Sequence, residues 1–148
     1  MSDLSTAEPP GTVHAEGGCL CGAIRYRVAM PPAWVAHCHC SMCRRAHGAA
    51  FVTWVGNLRE NVRVEQGAEL LTSHRSSSAA QRRFCSRCGS LLFFESTHWP
   101  DELHVLLAQL DDPTGIEPGA HAYWKNRVAW GDWSGRTLVI VEPPDHST

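Results

Sequence analysis

Lysine is almost missing from this sequence: Lys125 is the one residue of its kind in 148, and every other cation is an arginine. With a formal net charge of −2 besides, the chain lacks the broad basic surface that nucleic acid selects, so that class of partner is excluded. Long apolar runs are missing too. The longest, Leu103–Leu110, is interrupted by His104 and Gln109 and is far too short to cross a bilayer. The opening, MSDLSTAEPPG, has neither a basic start nor an apolar stretch, so it does not read as a secretory signal. The expected compartment is therefore the reducing cytoplasm, away from membranes. No window of a dozen residues carries an apolar stripe of period 3.6, which leaves little room for helix.

What the chain does have is alternation. β-formers with period 2 mark strands at 12–16, 23–28, 34–37, 50–55, 62–65, 70–75, 81–84, 91–94, 104–107 and 137–141. Breakers separate them at Gly17-Gly18, Met30-Pro31-Pro32, Gly56-Asn57, Gln66-Gly67, Ser76–Ser78 and Asp111–Pro113. Met42–His47 is long enough for about one helical turn. The expectation is a mainly β, mostly antiparallel single domain over residues 12–141, flanked by disordered tails at 1–11 and 142–148.

Seven cysteines in a reducing compartment need a reason other than disulfides, and an odd number cannot pair completely. Cys19/Cys21 and Cys38/Cys40 are each separated by one residue, a spacing at which a disulfide is badly strained. Thiolates in such clusters suit zinc. They form three modules: GGCLCG, CHCSMC and FCSRCG. If the outer two pair, Cys19, Cys21, Cys85 and Cys88 make a complete, structural four-thiolate site. Cys38, Cys40 and Cys43 then hold a second ion with one tetrahedral position open, as catalytic sites do. The other division joins the middle module to Cys19/Cys21 and strands Cys85 and Cys88. His37, His39 and His47 lie near the second set and read first as core or supporting residues; His47 is the best candidate for a weak fourth ligand. His39, inside the Cys-x-Cys turn, should point away from the metal.

Ten arginines but three acids occupy residues 18–94. They can offset sulfur charge in surface ion pairs or steer an anionic substrate toward the open site. Trp124, Trp130 and Trp133 read as core, lid or pocket wall. The hydroxyls of Thr53, Ser73 and Ser76–Ser78 carry no distinguishing pattern.

The stretches GGCLCGAIRYRV, HCHCSMCRRAHGAAF and RRFCSRCGSLLFF, with AQLDDP, PGAH and RVAW after them, resemble the glutathione-dependent formaldehyde-activating family, which includes centromere protein V. The resemblance spans roughly residues 14–133 and all seven cysteines. It implies the β-tent fold with zinc knuckles at its turns, and two Zn²⁺ per chain. It also implies a carbon–sulfur lyase of the S-(hydroxymethyl)glutathione synthase kind, with a thiol such as glutathione and an aldehyde as partners. Arg44 or Arg45, directly after Cys43, would then hold a glutathione carboxylate by a bidentate contact, or else stay at the surface or bond the backbone. Two other classes stay open: a non-catalytic zinc binding module, and a thiol or metal stress sensor. The oligomeric state is not legible.

Overall fold

The computed structural model of the protein describes residues 8–133 and 138–144. The ends of both expected tails and the first residue of the last expected strand lie outside them. In chain order the strands are β1 (His14–Gly18), β2 (Arg25–Ala29), β3 (Trp34–Cys38), β4 (Val52–Leu58), β5 (Val62–Gln66), β6 (Leu71–Arg75), β7 (Ala80–Cys85), β8 (Leu91–Ser96), β9 (Glu102–Leu106), β10 (Ala120–Ala122) and β11 (Val139–Val141). A seven-residue helix, α1 (Ser41–His47), lies between β3 and β4 and closes on Gly48 in the left-handed conformation. Among the described residues no helix is long and apolar enough to cross a membrane.

The strands form two sheets, a small one in the order β1-β2-β5 and a large one in the order β11-β10-β3-β4-β9-β8-β7-β6. Pairing is antiparallel except that β10 runs parallel to both β3 and β11. The fold is thus mainly β, as expected, with cysteines at its turns.

Register decides what the large sheet shows on each side. Side chains alternate across a strand, so residues paired across the ladder share a face. Val55, Val105 and Phe93 stand opposite one another and turn toward the small sheet, where they pack with Ile24, Tyr26 and Val28 as the main core. Their neighbours Trp54, Leu106, His104 and Phe94 turn to the other face, joined by Ala80, Ala122 and Cys38 in a second cluster. Both faces of β8 are therefore covered, and Leu92, Phe93 and Phe94 are all buried.

Three expectations change. Gly56-Asn57, read as a breaker, lies inside β4. Gly56 pairs with Trp34, whose indole crosses the glycine so closely that a Cβ there would sit 2.0 Å from a ring carbon. The glycine marks a close approach, not a turn. Gly17-Gly18 likewise lies inside β1, as its last two residues, instead of breaking the chain after it. β10, Ala-His-Ala, has no β signal of its own and is a strand because β3 and β11 supply hydrogen-bonding edges on both sides.

Candidate metal centres and an adjoining cavity

The outer cysteine modules meet. Cys19 and Cys21 lie in the β1–β2 turn, Cys85 ends β7 and Cys88 lies in the β7–β8 turn, so their contact ties the small sheet to the large one. All four sulfurs lie within 4.8 Å of one another, with Cys19–Cys21 at 3.5 Å and Cys21–Cys85 at 3.9 Å. Gly22 and Gly89, one residue past each pair, take the positive φ of +77° and +79° that these turns require. Backbone N–H groups then aim at sulfur: Ile24 donates to Cys19 Sγ at 3.3 Å and Arg87 to Cys85 Sγ at 3.4 Å. The Ser90 hydroxyl, 3.2 Å from Cys88 Sγ, and the Ser90 backbone N–H bring the Cys88 thiol down to about 5. Cys21 behaves oppositely: the Ala23 N–H lowers it, but desolvation and the three other thiols push it up to about 11. Four thiols so close cannot all ionise unless a cation joins them. The group can hold a metal ion.

The middle module gathers on the outer face of the large sheet. Cys38 ends β3, Cys40 precedes α1 and Cys43 lies in its first turn. Cys38 Sγ and Cys43 Sγ are 3.6 Å apart, and the Cys40 thiol interacts with both. The thiols of Cys40 and Cys43, and then burial, push Cys38 far above the ordinary thiol range.

One cation is already there, and it is Arg82. On β7 it stands opposite Phe94 of β8, so its side chain enters the second cluster, where it is 4% exposed. Its two terminal nitrogens donate to Cys43 Sγ at 3.5 and 3.6 Å, and its guanidinium lies 5.1 Å over the Phe94 ring. Cys38 and the Arg82 charge favour the Cys43 thiolate, but Cys40 and burial outweigh them and leave the thiol raised until a cation joins the site. Sequence reasoning passed over Arg82 in favour of the arginines adjacent to Cys43. The available signal was Arg82-Arg83 within an expected strand, since two consecutive strand residues cannot both face solvent on a covered sheet.

A cavity of about 410 Å³ opens beside these sulfurs, with Cys38 and Cys43 in its lining, a volume within the ordinary range for small-molecule sites. His104 and Glu102 face it from β9, with His104 Nε2 2.7 Å from Glu102 Oε2. The carboxylate fixes Nε2 as the protonated nitrogen of that ring.

Other expected site residues fall elsewhere. Arg44 Nε donates to the His39 carbonyl at 3.4 Å, and Arg45 is exposed. Arg25, Arg27, Arg59 and Arg83 form ion pairs with acids at the surface. His39 is fully buried, its Nε2 2.9 Å from His121 Nδ1, within a ring cluster that includes Trp124 and Trp133. His37 bonds Thr53 Oγ1 at 2.8 Å on the opposite face from Trp54. His47 packs against Trp54, and burial followed by Arg82 holds it down to about 4, so it stays neutral. Trp130 is 77% exposed and walls nothing in the described residues.

The family model described as glutathione-dependent formaldehyde-activating enzyme matches residues 14–126, which include all seven cysteines. The chain belongs to this family. A Halomonas elongata protein named, provisionally, as a glutathione-dependent formaldehyde-activating enzyme is 30% identical over 128 residues, covering 82% of each chain. A Schizosaccharomyces pombe protein named as an uncharacterised lyase is 31% identical over 83 residues, 56% of this chain and 58% of that one. Among solved structures, a Rhodobacter sphaeroides protein superposes with a TM-score of 0.57 at 32% identity, over 70% of this chain and 91% of that one. The formaldehyde-activating family is thus represented here with its cysteines grouped in space as well as in sequence.

Proposed function

We propose that this protein is a cytoplasmic, two-zinc enzyme of the carbon–sulfur lyase type, acting on the adduct of a thiol and an aldehyde in the manner of S-(hydroxymethyl)glutathione synthase. Its working unit is one domain over residues 12–141. Cys19, Cys21, Cys85 and Cys88 hold a structural ion. Cys38, Cys40 and Cys43 hold a second with an open position. The observation that carries this reading is the difference between the sites. The first bridges two sheets, whereas the second has two of its sulfurs in the lining of a cavity.

The four-thiol set has the spacing zinc needs, and the one distance within the second set agrees with it. Sulfurs 2.3 Å from a tetrahedral Zn²⁺ stand about 3.8 Å apart, close to the 3.5, 3.9 and 3.6 Å found for Cys19–Cys21, Cys21–Cys85 and Cys38–Cys43. A bound Zn²⁺ would deprotonate an incoming thiol and polarise a carbonyl oxygen. The chain supplies the rest. Arg82 orients Cys43 and offsets part of its charge when it ligates the ion. In the addition direction the substrate's thiolate sulfur bonds the carbonyl carbon while the π pair moves to oxygen, which must take a proton. His104, held at Nε2 by Glu102 on the cavity wall, is the group assigned to donate that proton. In reverse, His104 takes it back as the carbon–sulfur bond breaks.

Graded chelation followed by a rate assay tests the reading. Mild chelator should remove one ion first, leave the fold intact and abolish thiol binding. The restored protein should accelerate adduct formation from formaldehyde and at least one thiol of a panel that includes glutathione, followed by NMR against the uncatalysed rate. Simultaneous loss of both ions with unfolding would overturn the division of roles. Thiol binding without acceleration would favour a sensor, and no thiol binding would leave the binding module.

A further inference from the structure

The cavity beside Cys38 and Cys43 is chemically one-sided. Trp34, Trp54, Phe94 and Trp99 wall it, and alanine at 36 and 120 leaves open floor where larger side chains would fill the space. The alternation described above puts Trp34, Ala36 and Cys38 on one face of β3, so this lining is continuous with the sulfur site. His104 and Glu102 bond each other, and Glu102 also accepts from Trp34 Nε1 at 3.4 Å. Among the described residues no lysine or arginine lines the cavity. The nearby Arg82 spends its guanidinium on Cys43 and Phe94.

Glutathione matches this chamber poorly. It carries two carboxylates and an ammonium, and each would give up water against indole faces with no partner of opposite charge to receive a carboxylate. A neutral ring loses little water and packs edge-to-face or offset against the same walls. Resting on the reading that a thiol sulfur joins the Cys38, Cys40 and Cys43 site, we infer that the organic group of that thiol is neutral, apolar and of aromatic-ring size, and occupies this cavity. The protein's own substrate is then an aryl or similarly bulky apolar thiol adduct, not the glutathione adduct.

The test uses the cobalt-substituted holoprotein, whose sulfur-to-cobalt absorption reports thiol coordination, together with tryptophan fluorescence, which reports cavity occupancy. Phenylmethanethiol, 2-mercaptoethanol and glutathione are titrated in turn, then toluene as a ring without sulfur. Burying one phenyl group should make phenylmethanethiol bind on the order of 10- to 100-fold tighter than 2-mercaptoethanol, with glutathione weakest. Toluene should compete with phenylmethanethiol. Ala120→Leu, which fills the floor, and Trp99→Ala, which removes a wall, should each collapse the preference toward unity. Glutathione binding as tightly as phenylmethanethiol, or a preference that survives both substitutions, overturns the inference and leaves the proposed function standing. If no thiol alters the cobalt spectrum, the proposed function fails and takes the thiol assignment with it.

Discussion

Replacing Arg82 with methionine isolates the interaction that most distinguishes the middle site. Arg82 is buried, donates two N–H groups to Cys43 Sγ at 3.5 and 3.6 Å, and covers Phe94. Methionine keeps an unbranched apolar stem over Phe94 and removes both donors together with the charge. A hydrogen bond to a charged partner contributes about 1.5–3 kcal/mol. Loss of a group that orients a metal ligand lowers metal affinity by roughly 10- to 100-fold, the same range expressed as an equilibrium. Arg82→Met should therefore weaken the Cys38/Cys40/Cys43 metal by about that factor and leave the Cys19/Cys21/Cys85/Cys88 metal unchanged. Arg82→Lys should fall between, since a compact ammonium keeps the charge but cannot reproduce the fork. Zinc competition against chelators of graded strength reads both affinities in one titration. Two unchanged affinities would refute the role given to Arg82. A parallel fall in both would mean that the substitution acts through the fold.

Two further outcomes test the frame around that site. Cys88→Ser should lower the melting temperature by roughly 10 °C or more, because that ion joins the two sheets and its binding energy is folding energy, whereas Cys40→Ser should melt near the wild type yet no longer bind thiols; equal melting of the two variants would make the middle site structural. His47, held at about 4 against an ordinary 6.5, stays neutral in the folded protein while the unfolded chain takes up a proton. Its contribution is complete above pH 6.5 and is lost as pH falls toward 4, about 1–2 kcal/mol after allowing for its partial contact with solvent. Urea unfolding at pH 7.5 and 5 with matched metal content should show a steeper loss for wild type than for His47→Gln; parallel losses would refute the assignment.

Thiol knuckles are local structure, and for that reason they were legible. Cysteines one or two residues apart, followed by glycine, can be recognised as knuckles wherever they lie, because the turn that aims N–H groups at sulfur is built from neighbours in the chain. Alternation was legible for the same reason, and it located most strands to within a few residues. The sequence by itself thus determined a mainly β chain carrying three thiol modules, and the structure brings the outer two together as one group of four.

Register was not legible. Arg82 and Cys43 are 39 residues apart, and they meet only because β7 pairs with β8 so that Arg82 stands opposite Phe94 and not Phe93. A slip of one residue would have sent Arg83 inward instead. The cavity has the same origin. Trp34, Trp54, Phe94 and His104 come from four strands, and each becomes a wall because the ladder places it on the outer face. Even Gly56, which reads as a turn in the chain, is a strand residue because Trp34 lies across it. Ligand type is a property of single residues and short loops; which charge, which walls and how much space adjoin the ligands depend on long-range pairing energies summed over both sheets, and only the tertiary structure decided those.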